Sequence, residues 1–279
     1  MKIHVAVAVA AMAFTAFGVD GLAVKDGDTI AFLGDSITFG GNRPAGYVNM
    51  VMKGLEVAGV KGVKKIPAGI SGHKSNQMVA RVEKDCLSKK PTFMTVSCGV
   101  NDVWHGENGV PLDEYKVNMS GIFDKAAAAG VAVVVLTPTM IQENPDNSSN
   151  TKLKGYVEWL VAEAKRRGLR LADLNADMHR TLAEIRERAK ATGEKLPPKL
   201  LTVDGVHMAF PGNCMMAWGV LRALGMPESK KAEIEAVWRK MPEAYEVAFK
   251  LTAEEYDELK KKAEGEDLSV YARRQTFGR

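Results

Sequence analysis

Short apolar runs alternate along the chain with longer stretches in which apolar residues recur every three or four positions. Thr29–Leu33, Gly62–Ile66, Phe93–Ser97, Ala132–Leu136 and Leu169–Asp173 have the length and composition of strands. Ala132–Leu136 is the most β-branched of them and stops before Pro138. Between these runs lie stretches with helical spacing: Tyr47–Ala58, Gln77–Leu87, Leu112–Ala129, Lys152–Arg167 and Asn175–Ala191. Gly130 and Gly168 stand just past two of the helices, where a left-handed closing residue is needed. A strand-helix alternation of this kind implies right-handed crossovers, a parallel sheet of five strands and helices on both faces. The expected fold class is therefore a three-layer α/β/α sandwich.

Both ends depart from that pattern. Lys2 precedes a nearly unbroken apolar stretch, Val5 to Phe17, with small Ala16 and Gly18 before Val19. This reads as a signal peptide over residues 1–18, cleaved before Val19 or after Ala23, and hence as a secreted or periplasmic protein. The main domain is expected over 19–226. After Leu224-Gly225-Met226-Pro227 no strand signal remains, and 227–279 reads as a charged helical C-terminal extension, packed through Trp238, Tyr245, Phe249 and Tyr256 or kept for a partner. Thr252 with Glu255 forms a capping box that opens a helix running to Lys262.

Composition narrows the function classes. With 46% hydrophobic and 26% charged residues among 279, the chain has the material for a core and is not a disordered one. A net charge of +4, spread evenly, gives no basic patch for nucleic acid. Beyond the N-terminus no apolar run is long enough for stable membrane insertion. Cys86, Cys98 and Cys214 form neither a disulfide scaffold nor a CxxC metal pair, and read as core fillers or, for an odd count in an exported chain, as at least one free thiol.

Four short blocks carry the candidate chemistry. Gly34-Asp35-Ser36-Ile37-Thr38 follows the first strand, Gly69-Ile70-Ser71-Gly72 the second, and Gly99-Val100-Asn101-Asp102 the third. Asp204-Gly205-Val206-His207 precedes the last helix of the core. In parallel sheets, turns at the carboxyl ends of strands face the ligand crevice. A serine alcohol is inert until a base removes its proton; His207 can do so once Asp204 orients it. An oxyanion needs donors already in place, and the Ser36 N–H, the Gly72 N–H and the Asn101 amide supply three. Each block taken alone also fits ordinary turn geometry.

Taken together the blocks resemble the SGNH hydrolases, or GDSL esterases/lipases, over roughly Thr29 to Leu224. Ser36 stands in the nucleophile's place of block I, Gly72 and Asn101 match the glycine and asparagine of blocks II and III, and Asp204 with His207 matches the Asp-x-x-His pair of block V. The resemblance implies a flavodoxin-like fold, ester hydrolysis through an acyl-serine and no cofactor or metal. The α/β-hydrolase elbow Gly-x-Ser-x-Gly is absent around Ser36, and so are dinucleotide and phosphate-loop glycine motifs.

Substrate class is less sharply written. The Phe39–Tyr47 loop is small and polar, and no long apolar lid separates the motifs. Trp104 and His105 offer an aromatic face and a donor suited to a sugar ring, and with Asp35 they are the expected substrate contacts; Trp104 equally fits as a filler under its loop. The polar loop Gln142–Asn150 reads as cleft wall or as plain surface. The expected activity is hydrolysis of short acyl, chiefly acetyl, esters on carbohydrate. A lysophospholipase or short-chain lipid esterase is the alternative, as is a non-catalytic carbohydrate-binding protein on the same fold.

Overall fold

The computed structural model describes residues 21–242, 252–266, 268 and 271. The expected signal segment, 1–18, lies outside them, as do Tyr245 and Phe249 of the tail. The main compact unit runs to Ala244 and a second comprises Tyr245–Arg279.

Five strands, β1 (Thr29–Gly34), β2 (Lys64–Gly69), β3 (Phe93–Ser97), β4 (Ala132–Leu136) and β5 (Arg170–Ala172), pair in parallel in the order β2-β1-β3-β4-β5. Among the described residues of the main unit, nine α-helices connect or cover them: α1 (Ser36–Gly41), α2 (Tyr47–Val57), α3 (Ser75–Asp85), α4 (Val100–Trp104), α5 (Leu112–Ala128), α6 (Ser148–Arg167), α7 (Leu174–Thr192), α8 (Phe210–Ala223) and α9 (Lys231–Trp238). α2, α7, α8 and α9 pack among themselves, and α3, α5 and α6 do the same. These two layers explain why β1 and β3 are apolar on consecutive positions: their side chains are covered on both faces. The expected three-layer α/β/α class is the observed one.

Differences from the expected elements have local causes. β2 begins two residues late and extends to Gly69, carrying Pro67 inside it. That is tolerated because β2 is an edge strand, where a missing N–H breaks no ladder. α6 starts at Ser148 rather than Lys152 because the Asn147 side chain accepts from the Asn150 N–H at 2.7 Å. α1 and α4, five or six residues each, are too short to show a period. Beyond Met226 a 3₁₀ turn, Glu228–Lys230, leads into α9, which packs on α2: Ile234 and Trp238 are fully buried, and the Trp238 indole donates to the Met50 carbonyl at 2.9 Å. In the second unit α10 (Ala253–Lys262) opens with the expected Thr252–Glu255 box. Among the described residues no helix is long and apolar enough to cross a membrane.

Candidate active site

The ends of β1, β2 and β3 deliver three of the four blocks to one edge of the sheet. Gly34 ends β1, Asp35 caps α1 and Ser36 is the first helical residue, so its backbone N–H lies among those a helix leaves unpaired. After β2, the Ile70 N–H bonds the Gly34 carbonyl at 3.0 Å, which draws the second block against the first. Gly72 follows with φ +77°, a left-handed conformation that a side chain would strain. After β3, Asn101 sits on α4 and donates through Nδ2 to the His73 carbonyl at 3.1 Å. That bond fixes the amide plane and leaves its second hydrogen for a ligand.

The fourth block arrives on a short hairpin between α7 and α8. Val203 N–H bonds the His207 carbonyl at 2.8 Å and Ala209 N–H bonds the Leu201 carbonyl at 2.9 Å, with Thr202 opposite Met208. Asn213 of α8 holds the return arm by donating to the Met208 and Ala209 carbonyls, both at 3.0 Å. At the tip, Asp204 Oδ1 accepts from the Val206 and His207 N–H groups at 2.9 and 2.8 Å. Its Oδ2 lies 2.6 Å from His207 Nδ1, and His207 Nε2 lies 2.9 Å from Ser36 Oγ. Serine, imidazole and carboxylate, separated by up to 171 positions in sequence, form one hydrogen-bonded line. Partial burial pushes the Asp204 carboxyl up, but the bonds from His207 and Val206 outweigh it and hold it below its ordinary value. An arrangement of this kind can move a proton from a serine hydroxyl to an imidazole while an ionised carboxylate faces the ring's other nitrogen.

The remaining expected contacts fall differently. Trp104 is 43% exposed and so fills no gap under its loop, and His105 is exposed beside it. Asp35, expected among the substrate contacts, is 2% exposed, and its Oδ1 accepts from the Ile37 N–H at 2.9 Å. In the structure it is an internal cap. Burial raises its carboxyl from 3.8 to about 6, with the Asp102 charge adding to the rise and the Ile37 N–H and His207 opposing it. Unfolded, Asp35 ionises near 3.8, so between there and about 6 the folded state keeps a proton that the unfolded state has lost. Its contribution to stability is therefore complete at low pH and declines as pH rises to about 6. At ~1.4 kcal/mol per tenfold change in proton affinity, keeping it ionised at neutral pH costs roughly 3 kcal/mol. Asp35→Asn retains the acceptor for Ile37 and removes that cost. Urea titrations should show the variant gaining on the wild type between about pH 4 and about pH 6 and holding that gain above it; a gap independent of pH across this window would contradict this.

Two residues escaped the sequence reading. Arg81 of α3 donates to the carbonyls of Gly34 (2.8 Å) and Ala68 (2.9 Å), to Asp85 (3.0 Å) and, through Nε, to His73 Nδ1 (3.1 Å). It ties the ends of β1 and β2 to the residue whose carbonyl orients Asn101. Its i,i+4 pairing with Asp85 is open to a helical reading, but its bonds to the Gly34 and Ala68 carbonyls, which tie it to the site, are to backbone atoms that no side-chain pattern marks. Glu143 is the other; it lies in the loop after β4 and is 4% exposed.

Residues 32–212 match the GDSL-like Lipase/Acylhydrolase family. The chain belongs to that family. This GDSL acylhydrolase is a carboxylic ester hydrolase. It is 26% identical over 221 residues to an acetylxylan esterase of Geobacillus stearothermophilus, covering 72% of this chain and 96% of that protein. Among solved structures, a crystal structure of an acetylxylan esterase from the same organism superposes with a TM-score of 0.62 at 25% identity, over 74% of this chain and 97% of the other. A second acetyl xylan esterase structure gives 0.61 at 29%, over 70% and 98%.

Proposed function

We propose that this acylhydrolase removes acetyl groups from carbohydrate through an acyl-serine intermediate, and that it works outside the cytoplasm after loss of residues 1–18. The observation that carries the reading is the line Ser36 Oγ···His207 Nε2 at 2.9 Å and His207 Nδ1···Asp204 Oδ2 at 2.6 Å. Ser36 Oγ attacks the acyl carbon while His207 Nε2 takes its proton. Asp204 holds the proton on Nδ1, so Nε2 keeps the lone pair that the step requires. The oxyanion is met by the Ser36 and Gly72 N–H groups and the Asn101 amide. His207 then protonates the departing sugar oxygen, draws a proton from water, and the resulting attack on the acyl-serine releases acetate.

Two features favour a sugar over a long acyl chain. Two of the similar proteins of known structure are named acetylxylan esterases. Phe39, Ile70, Trp104 and Val203, four of the large apolar side chains left exposed, each lie within three residues of Ser36, Gly72, Asn101 or Asp204. Exposed apolar groups beside a polar cleft suit pyranose rings, whose C–H faces are apolar and whose rims are hydroxyl. Acetate release from acetylated xylan, run beside p-nitrophenyl esters from acetate to palmitate, tests the reading. It predicts turnover of the polymer and a steep decline with chain length. A maximum at the long esters, or none but lysophospholipid turned over, would overturn it.

A further inference from the structure

The base and its orienting carboxylate stand on a hairpin tip whose apolar side chains divide between two clusters, Val206 being buried in the main core. Leu201 joins a small separate cluster with Met140, Met178 and Leu182. The polar side is held from another element. Glu143 Oε1 accepts from the Leu201 N–H (3.0 Å), the Thr202 N–H (2.7 Å) and the Thr202 hydroxyl (2.5 Å), while Oε2 accepts from the Leu200 N–H (2.8 Å). Four donors thus converge on one buried carboxylate. The Thr202 oxygen in turn accepts from the Gly205 N–H at 3.1 Å, and the Gly205 carbonyl accepts from the Gln142 N–H at 2.7 Å. Gly205, between Asp204 and Val206, is therefore gripped at both its backbone groups by residues 142 and 143, directly or through Thr202.

The gripping loop is itself built to stay put. Gln142 and Glu143 are consecutive non-glycine residues in the left-handed region, at φ +68° and +49°. Such a pair persists only where the surroundings over-determine it. Arg186 of α7 donates to the Glu143 carbonyl at 2.8 Å. Asn150 accepts from the Ile141 N–H (2.9 Å) and donates to the carbonyls of Ile141 (2.8 Å) and Asn144 (2.6 Å). Gly205 stands at φ +104°, and a Cβ there would meet the Gln142 side-chain oxygen at 2.5 Å, so the loop also shapes the tip.

We infer that Glu143 is a positioning residue for catalysis: its carboxylate sets the hairpin so that His207 meets Ser36 and Asp204 meets His207. It touches no reacting atom, and the inference rests on the proposed roles of Asp204 and His207. Glutamine at 143 can keep its oxygen, a weaker acceptor than a carboxylate's, for the three donors on Oε1, but it then turns an NH2 toward the Leu200 N–H. Glu143→Gln should therefore lower kcat on p-nitrophenyl acetate by about 10–100-fold while KM moves less than about threefold. Thr202→Val leaves the carboxylate in place, removes only the hydroxyl relay to Gly205, and should cost about tenfold. Each is combined with Asp204→Asn in a double-mutant cycle, Thr202→Val carrying the test should Glu143→Gln fail to fold. If position 143 acts through the tip, its substitution in the Asp204→Asn background adds less than about twofold. An undiminished loss in that background, or an unchanged kcat in both Glu143→Gln and Thr202→Val, overturns the inference while leaving the proposed roles of Asp204 and His207 standing. Full activity of Asp204→Asn alone would overturn those roles and this inference together.

Discussion

Ser36→Ala should reduce kcat/KM for p-nitrophenyl acetate by a factor on the order of 10⁵ while leaving the circular dichroism spectrum and the melting temperature nearly unchanged. The change deletes one oxygen whose side-chain hydrogen bond in the structure is to His207 Nε2 at 2.9 Å. Nothing in the fold depends on that oxygen: α1 is capped by Asp35, and the sheet edge is tied by Arg81 and the Ile70 N–H. Residual turnover would come from the oxyanion donors and from binding, which still hold an ester beside water. Paired measurements of activity and thermal melting check the claim. A variant within about tenfold of the wild type would remove Ser36 from the chemistry.

The second large effect is expected at Asp204→Asn, at about 10⁴-fold in kcat. Size is conserved, so the loss is one of proton placement. Oδ1 of Asp204 receives the Val206 and His207 N–H groups, and an asparagine must keep its carbonyl oxygen there. Its NH2 then faces His207 Nδ1, which is forced to accept. The ring proton moves to Nε2, where it points at Ser36 in place of the lone pair that should take the serine proton. The tip keeps its turn, so stability falls little. Steady-state kinetics with a melting curve measure both, and a kcat within about tenfold of the wild type would show that Asp204 does not set the tautomer.

How far these expectations could be drawn before the fold was known varied from residue to residue. The strands were legible because β1, β3 and β4 are buried on both faces and therefore mostly apolar, with Thr29, Thr95 and Ser97 as the polar members. β2 was misplaced at both ends because an edge strand pays no penalty for Pro67 or for exposed lysines, and its pattern is correspondingly blurred. Ser36, Gly72, Asn101, Asp204 and His207 could be named because each chemistry demands a residue type at a strand end or a fixed spacing. Arg81 and Glu143 could not. Most of their partners are main-chain atoms, of Gly34, Ala68, Leu200, Leu201 and Thr202, which no side-chain pattern reveals. Asp35 was misread for a related reason, since the same carboxylate in a turn serves a ligand or a helix cap depending on which way the helix starts.

The central claim is that the hydroxyl at position 36 is the atom that bonds to the acyl carbon. Labelling with a fluorophosphonate ester, followed by proteolysis and mass spectrometry of the peptides, tests it most directly. The account predicts a single adduct on Ser36, loss of activity in step with its formation, and no adduct in the Ser36→Ala chain. Complete inactivation with the adduct on another residue would contradict it.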